Sequence, residues 1–192
     1  MKIGVLALQG DFAEHLALLA SLKVDALEIR LPQQLRSLDG LIIPGGESTT
    51  IGKLATDFEM VQPLQEFGRR HAIWGTCAGA IFLSKDASRE QPLLGLMDIK
   101  VARNAFGRQL ESFEADLDVP ELKRAGGSND PYHAIFIRAP IIESVSGDAR
   151  ALASLPDGRI VAAQQGHLLA TSFHPELTAD TRFHEYFLSL VD

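Results

Sequence analysis

Short apolar runs alternate with segments of helical periodicity through the first half of the chain, and few folds are compatible with that alternation. We predict strands at 2–8, 24–30, 38–46 and 72–76, and helices at 12–22, in a stretch running through 62–70, and at 78–85. The first run, KIGVLAL, is apolar throughout, as expected of a strand buried on both faces. Strands that alternate with helices indicate an α/β fold with a parallel sheet.

The second half of the chain has a different pattern. We predict strands at 96–103, 111–119, 133–140, 159–165 and 167–173, with few helices between them. Such closely spaced strands favour an antiparallel extension of the parallel sheet. The chain closes with an amphipathic helix at 178–191, for which Thr178 or Asp180 is a suitable cap. Residues 123–133 are typical of a surface loop.

Size and charge exclude several classes of protein. A chain of 192 residues suits one hydrophobic core, so we expect a single domain over 1–192. The net charge of −7 argues against nucleic acid as a partner, because phosphate binding needs a basic stripe. No apolar run approaches the roughly 18–20 residues of a membrane span, and the N-terminal run suits a buried strand better than a signal peptide. A single cysteine excludes an intrachain disulfide, which fits a cytoplasmic protein.

The one cysteine, Cys77, lies in the pattern Gly-x-Cys-x-Gly at 75–79, between a predicted strand and a predicted helix. An isolated buried cysteine is more often a small apolar side chain than a reactive one. This pattern, however, is the cysteine counterpart of the Gly-x-Ser-x-Gly nucleophile elbow, in which a sharp turn exposes the nucleophile. A helix that begins at Ala78 directs unpaired N–H groups at the sulfur and favours the thiolate. We therefore interpret Cys77 as a nucleophile, with the Ala78 N–H as an oxyanion donor.

A cysteine nucleophile needs a base, and His174 is the best candidate among the six histidines. Glu176 follows it by two positions at the end of a predicted strand, and period-two alternation places both side chains on one face. Glu176 would then fix the tautomer of His174. Pro175 between them suits a strand terminus, because proline cannot donate to a ladder. Without the elbow, a surface histidine and glutamate on a loop would be the simpler interpretation.

Two glycines follow the predicted third strand, in the segment PGGES at 44–48. They are compatible with a tight turn or a phosphate cradle, but the Lys-Ser/Thr of a Walker loop is missing and Lys53 lies too far along the chain. Backbone N–H groups near Gly46 are free to approach a ligand because glycine has no Cβ, which suits a second oxyanion donor. A metal site has little support, since the sequence has neither a His-Glu-x-x-His motif nor a cysteine cluster.

An elbow cysteine, a downstream His-Pro-Glu and an upstream Pro-Gly-Gly together resemble the class I glutamine amidotransferases. Finer motifs resemble one group among them, the glutaminase subunits of pyridoxal 5′-phosphate synthase. These motifs are LALQGDFAEH (6–15), PGGESTT (44–50), RNAFGRQ (103–109), SFEADL (112–117), FIRAP (136–140) and FHPELT (173–178). The resemblance spans nearly the whole chain and implies a three-layer, flavodoxin-like α/β fold with a mostly parallel central sheet. Residues 125–130 match no pattern within it.

The resemblance also implies a reaction, the hydrolysis of L-glutamine to L-glutamate and ammonia without a cofactor. Cys77 would attack the side-chain amide and form a γ-glutamyl thioester, with His174 as the proton carrier and Glu176 as its partner. Gly46 and Ala78 would supply the oxyanion hole. The family's glutamine-binding positions fall on Gly46, Glu47, Ser48, Arg103, Ile137 and Arg138. Of these, Arg103 and Arg138 are cationic, as suits the α-carboxylate of glutamine.

The ammonia implied by this reaction needs a consumer. In the family it is a separate (β/α)₈-barrel synthase subunit that makes pyridoxal 5′-phosphate, and the full assembly is a dodecamer of heterodimers. Gln9 lies in the segment that the resemblance places near this interface, so it is a candidate for coupling docking to activity. A plain polar turn residue is the alternative interpretation of Gln9.

Three rival interpretations remain. The first is a glutaminase subunit for another synthase, such as those of histidine, anthranilate or GMP synthesis, and the motifs at 46–50, 103–109 and 113–117 argue against it. The second is a γ-glutamyl hydrolase that works alone. The third is an inactive regulatory binder on the same fold, which the intact set of Cys77, His174 and Glu176 disfavours.

Overall fold

A mixed ten-stranded sheet runs through the protein in the computed structural model, which describes residues 1–88, 90–103, 112–124 and 130–191. The strands over these residues are β1 (Lys2–Leu6), β2 (Asp25–Ile29), β3 (Gly40–Ile43), β4 (Ala72–Thr76), β5 (Ser84–Asp86), β6 (Met97–Ala102), β7 (Ser112–Leu117), β8 (Tyr132–Ile137), β9 (Ile141–Val145), β10 (Arg150–Ser154), β11 (Ile160–Gln165) and β12 (Leu168–Thr171). All but β7 and β8 belong to the large sheet.

The helices are α1 (Phe12–Ser21), α2 (Ser48–Asp57), α3 (Val61–Gly68), α4 (Ala78–Leu83), α5 (Pro120–Arg124) and α6 (Arg182–Leu188), with 3₁₀ turns at Pro32–Ser37 and Pro175–Leu177. Over the described part of the chain, none of the helices is long and apolar enough to cross a membrane.

The large sheet has the strand order β2-β1-β3-β4-β12-β11-β9-β6-β5, with β10 paired to β11. The strands from β2 to β12 in this order are all parallel to their neighbours. Beyond β12 the pairs β12–β11, β11–β9 and β9–β6 are antiparallel, and the edge pair β6–β5 is parallel again. The predicted parallel sheet with an antiparallel extension is therefore confirmed.

Hydrophobic cores lie on both faces of the sheet, because alternate residues of its central strands point in opposite directions. Ile43 and Ile73 belong to the core beneath α2, α3 and α4. Ile42 and Trp74 belong to the core on the other face, which α1, α6 and the β7–β8 pair cover. The result is the expected three-layer α/β arrangement.

Several predicted boundaries are wrong. The helix expected at 78–85 ends at Leu83, because the chain continues from Ser84 as β5, whose Ser84 and Asp86 pair with β6. The strands at 112–117 and 132–137 form a separate antiparallel pair instead of joining the large sheet. The strands β9 and β10 and the short helix α5 lie where no element was predicted.

The C-terminal helix also begins later than predicted. A 3₁₀ turn occupies Pro175–Leu177, and α6 begins at Arg182 with Thr181 as its N-cap residue. Neither Thr178 nor Asp180 is at the cap position, although Asp180 Oδ1 accepts a hydrogen bond from the Arg182 N–H at 3.1 Å. Within the predicted loop 123–133, residues 125–129 lie outside the described residues, and β8 already begins at Tyr132.

The carboxyl ends of four parallel strands meet at one edge of the sheet, where open α/β sheets bind ligands. The segments that follow them carry Gln9 after β1, Gly46 after β3, Cys77 after β4 and His174 after β12. This edge brings together motifs from the start, the middle and the end of the sequence.

Candidate active site

Cys77 occupies a sharp turn between β4 and α4. Its backbone has φ 47° and ψ −106°, which is a strained conformation for a residue other than glycine. A Cβ on Gly75 would lie 2.5 Å from the carbonyl group of Gly79, and a Cβ on Gly79 would collide with the carbonyl oxygen of Ile43. Both glycines of the Gly-x-Cys-x-Gly pattern are therefore required by the close approach of backbone to backbone.

A cavity of about 330 Å³ opens above the cysteine, within the range typical of small-molecule sites. Its lining includes eight of the residues that the sequence singled out: Gln9, Gly46, Glu47, Ser48, Cys77, Ala78, Arg103 and Arg138. Ile137 is not part of this lining, but its carbonyl oxygen lies 4.0 Å from Cys77 Sγ. Cys77 itself is 6% exposed. The structure thus places the nucleophile candidate and five of the six predicted binding residues around one space.

His174 and Glu176 lie behind the cysteine and are both buried. His174 Nδ1 faces Glu176 Oε1 at 2.6 Å, a short hydrogen bond. The pairing agrees with the sequence prediction, but its predicted reason is wrong. Strand β12 ends at Thr171, so a 3₁₀ turn, and not strand alternation, brings the two side chains together.

The protonation of His174 depends on both of its neighbours. Burial disfavours the imidazolium, but hydrogen bonds with the Cys77 sulfur and the Glu176 carboxylate outweigh burial and raise the pKa of His174 well above 6.5. His174 therefore lies between Cys77, the nucleophile candidate, and a carboxylate, an arrangement compatible with a general base and its orienting group.

Asp11 is a site residue that the sequence reasoning missed. Its Oδ2 lies 3.6 Å from His174 Nδ1, and its backbone N–H donates to the Gly45 carbonyl oxygen at 3.2 Å. One side-chain atom of each of Asp11, His174 and Glu176, a carboxylate oxygen or a ring nitrogen of the kind that can bind a metal, lies within 4.8 Å of the other two. His174 and Glu176 are joined by a hydrogen bond, and Asp11 adds a longer charged contact to His174. The sequence placed Asp11 within the motif at 6–15 but gave no sign that it approaches His174.

Gln9 is hydrogen-bonded to the turn that contains Gly45 and Gly46, after β3. Its Oε1 accepts the Glu47 N–H at 2.7 Å. Gly46 has φ +147°, and a Cβ there would lie 2.5 Å from Gln9 Oε1. This glycine is required both by its backbone conformation and by the close approach of Gln9.

Glu47 is held at the edge of the cavity by several hydrogen bonds. It is the N-cap residue of α2, where it accepts the Thr50 N–H at 2.8 Å, and it also pairs with Arg103 Nη2 at 2.6 Å. Although partial burial opposes ionisation, hydrogen bonds from Thr49, Thr50 and Arg103 lower the pKa of Glu47 to about 2. Arg103 Nη1 is buried and has no hydrogen-bond partner among the described residues. The rest of the 103–109 motif lies outside the described residues.

Solved structures define the class of protein. A crystal structure of a glutamine amidotransferase is 47% identical to this chain, with a TM-score of 0.91 and 98% of both chains covered. PurLQS from Thermotoga maritima shares the fold at 14% identity, with a TM-score of 0.72 over 100% of this chain and 98% of the other. The fold and the first of these likenesses define the chain as a glutamine amidotransferase enzyme.

Sequence comparison then gives the family. Residues 5–192 match the SNO glutamine amidotransferase family, and the chain belongs to it. The "Pyridoxal 5'-phosphate synthase subunit PdxT" of Herpetosiphon aurantiacus is 57% identical over 99% of this chain and 100% of its own length. The protein of the same name from Moorella thermoacetica is 51% identical over 100% of both.

Proposed function

We propose that this chain is the glutaminase subunit of a pyridoxal 5′-phosphate synthase, where it hydrolyses L-glutamine and supplies the ammonia for vitamin B6 synthesis. The observation that carries the chemistry is the position of His174, which is hydrogen-bonded to Glu176 at 2.6 Å and close enough to Cys77 for that residue to raise its pKa. The shared name of the full-length relatives supports the choice of synthase. One domain over 1–192 performs the reaction, and a cytoplasmic location keeps its single cysteine reduced.

The first half of the reaction makes a thioester. His174 already holds the proton it shares with Cys77, because its pKa is raised to about 10, and the Cys77 sulfur attacks the side-chain amide carbon of glutamine. The N–H groups of Gly46 and Ala78 donate to the oxyanion of the tetrahedral intermediate. The C–N bond then breaks, His174 returns its proton to the leaving nitrogen, and ammonia departs from a γ-glutamyl thioester.

The second half restores the cysteine. His174 deprotonates a water molecule, which attacks the thioester carbonyl, and the thiol is released with L-glutamate as the product. Glu176 keeps the Nδ1–H tautomer of His174 in both halves, so that Nε2 faces the reacting atoms. No cofactor takes part in either step.

Charge in the cavity supports glutamine as the substrate. The Glu47 carboxylate is ionised and suits the α-ammonium group, while Arg103, whose buried Nη1 has no partner among the described residues, suits the α-carboxylate. Ser48, Ile137 and Arg138 complete the proposed binding set around the γ-carboxamide.

In this proposal the chain docks on a (β/α)₈-barrel synthase subunit, which consumes the ammonia, and the full assembly is a dodecamer of heterodimers. The Gln9–Glu47 hydrogen bond lies beside Gly46, one of the two oxyanion donors. The Gln9 side chain can exchange this hydrogen bond for one to a docked partner, and the turn at Gly46 would then reorient. Gln9 therefore couples docking to formation of the oxyanion hole.

Ammonia release from L-glutamine tests the proposal. The wild-type chain and Cys77→Ala are each assayed alone and with a pyridoxal 5′-phosphate synthase barrel subunit. We expect low activity from the wild type alone, a sharp rise with the barrel subunit, and no activity from Cys77→Ala in either case. Full activity without a partner would favour a γ-glutamyl hydrolase that works alone. Stimulation by the ammonia-consuming subunit of another synthase, and not by this barrel, would assign the chain to that synthase.

A further inference from the structure

Two buried histidines that the proposed reaction does not use lie directly behind Glu176. His15 projects from α1 and His184 from α6, and neither side chain is exposed to solvent. His15 Nδ1 and His184 Nε2 are 3.0 Å apart. Both rings pack edge-on against Trp74, with ring centroids 5.8 Å and 4.9 Å away. Polar rings in such an aromatic setting cost free energy that apolar side chains would avoid, so their hydrogen bonds call for an explanation.

The second nitrogen of His15 faces the triad candidate. His15 Nε2 lies 3.3 Å from Glu176 Oε2 and 3.3 Å from Thr76 Oγ1, and Thr76 directly precedes Cys77. Among the described residues, no hydrogen bond of full geometry reaches the buried Glu176 Oε2, and His15 Nε2 lies within 3.3 Å of it. Long contacts of this kind in a ligand-free site can tighten when substrate binds.

The protonation of the pair follows from its burial. Burial, with the neighbouring histidines, lowers the pKa of His15 well below 6.5, and burial lowers the pKa of His184 to about 4. Both rings are therefore neutral at pH 7, and each carries a single N–H. Donation from His15 to the Glu176 carboxylate requires the proton of His15 on Nε2, and its Nδ1 then accepts from His184 Nε2–H. This leaves His184 Nδ1 without a proton, and it indeed has no partner among the described residues.

We infer that His15 is a positioning residue for the reaction: it donates Nε2–H to the second carboxylate oxygen of Glu176, and His184 fixes the tautomer that makes this possible. The inference rests on the proposed function. Hydrogen bonds then converge on Glu176: His184 donates to His15, His15 donates to Oε2, and His174 donates its Nδ1–H to Oε1. Without the His15 donor, Oε2 is a buried carboxylate oxygen with no partner, and Glu176 becomes easier to protonate and poorer at supporting the imidazolium of His174.

Two amide substitutions separate the hydrogen bond from simple packing. In His15→Gln the amide nitrogen is as many bonds from the backbone as Nε2 and can still donate to Glu176. In His15→Asn it reaches only as far as Nδ1. His167→Gln is the control, since His167 precedes β12 at its opposite end and contacts the Gly68 carbonyl oxygen.

Two kinetic measurements follow. The first is kcat and KM for glutamine with the barrel subunit present. The second is the rate of alkylation by iodoacetamide at pH 7 in the chain alone, which reports only on Cys77 because the chain has no other cysteine. For His15→Asn we expect kcat and the alkylation rate to fall roughly 10- to 100-fold, as when outer partners of metal-binding histidines are removed. KM should change less than about twofold, because neither His15 nor His184 lines the cavity. His15→Gln should retain most of both rates.

Equal losses in the two amide variants, or no loss in His15→Asn, would overturn the inference. A variant that fails to fold does not decide the matter, so nitrogen-15 NMR of the wild-type imidazoles is the second test. The inference requires the proton on Nε2 of both His15 and His184, and a proton on His15 Nδ1 would contradict it. If the wild type proves not to hydrolyse glutamine, the proposed function fails, while alkylation and NMR still decide whether His15 acts on Cys77 through Glu176.

Discussion

Glu176 Oε1 accepts a hydrogen bond from His174 Nδ1 at 2.6 Å across a single 3₁₀ turn. Pro175, the residue between them, has a fixed φ and no N–H, so it starts the turn without leaving a buried donor unpaired. With Nδ1 engaged by Glu176, Nε2 is the ring nitrogen left for the exchange with Cys77 that we propose. In that mechanism, proton transfer to and from the sulfur depends on the position of Glu176.

Glu176→Gln should lower kcat for glutamine about 10³-fold or more, because the amide can donate to Nδ1 and so stabilise the wrong tautomer. KM should change little, since Glu176 does not line the cavity. Steady-state ammonia release with the barrel subunit measures both constants. Glu66→Gln, on the exposed face of α3, is the control for the same chemical change. A decrease of less than tenfold would mean that Glu176 does not orient the base.

The stability of the protein should depend on pH through His174. Burial opposes its protonation, but hydrogen bonds with Cys77 and Glu176 raise its pKa from 6.5 to about 10. The folded state thus holds this proton more tightly than the unfolded state. The stabilisation is fully present below pH 6.5 and is lost as the pH rises through about 10.

Urea unfolding between these pH values measures that loss. Cys77→Ala removes one of the two groups that raise the pKa of His174, so its free energy of unfolding should decline less with pH than that of the wild type. Parallel curves for the two proteins would show that Cys77 and His174 are not coupled.

Gly79→Ala should lower the free energy of unfolding by about 3 kcal/mol or more, because its Cβ meets the Ile43 carbonyl group and neither backbone can move easily. Gly166→Ala is the matched comparison. That glycine has φ +56°, and a Cβ added there would have nothing within 4 Å, so only the left-handed backbone is penalised, at roughly 1 kcal/mol. Chemical denaturation of both variants measures the difference, and similar losses would argue against a sterically closed elbow.

Arg103→Gln should raise KM for glutamine about tenfold or more and leave kcat within a few-fold, because it removes a contact made equally in the ground state and the transition state. Arg30→Gln is the control, since Arg30 also pairs with a glutamate, Glu28, but on the exposed end of β2. A fall in kcat at unchanged KM would place Arg103 in the chemical step and not in substrate binding.

Gln9→Ala should reduce the stimulation of ammonia release by the barrel subunit several-fold, because the turn at Gly46 loses the side chain that holds it before docking. Stimulation is the ratio of rates with and without the barrel subunit. Gln62→Ala, on the surface of α3, controls for loss of a polar side chain. An unchanged ratio would leave Gln9 as an ordinary turn residue.

The sequence predicted those parts of the fold and site that depend on local pattern. The elbow is an example, since Gly75 is required by its approach to Gly79 within the short motif, although the contact that requires Gly79 is with Ile43 on β3. The alternation of strands and helices likewise predicted the parallel half of the sheet. The boundary at Ser84 was missed because an apolar helix that runs directly into a short strand carries no signal between them.

Contacts between distant segments could not be predicted in the same way. His15 and His184 are 169 positions apart, and a histidine on a predicted helix gives no sign of which ring it faces. The Gln9–Glu47 bond depends on the approach of two glycine turns that only the folded sheet brings together. The His174–Glu176 pair was predicted from strand geometry, and the 3₁₀ turn that forms it was not.

The most direct test of the account is to identify the covalent intermediate. The wild-type chain, with the barrel subunit and L-glutamine, is quenched in acid during turnover and digested, and the peptide containing Cys77 is analysed by mass spectrometry. We predict a γ-glutamyl group on Cys77 that hydroxylamine releases as the hydroxamate. Steady ammonia release with no adduct on this peptide, or release undiminished in Cys77→Ala, would contradict the central claim that Cys77 is the nucleophile.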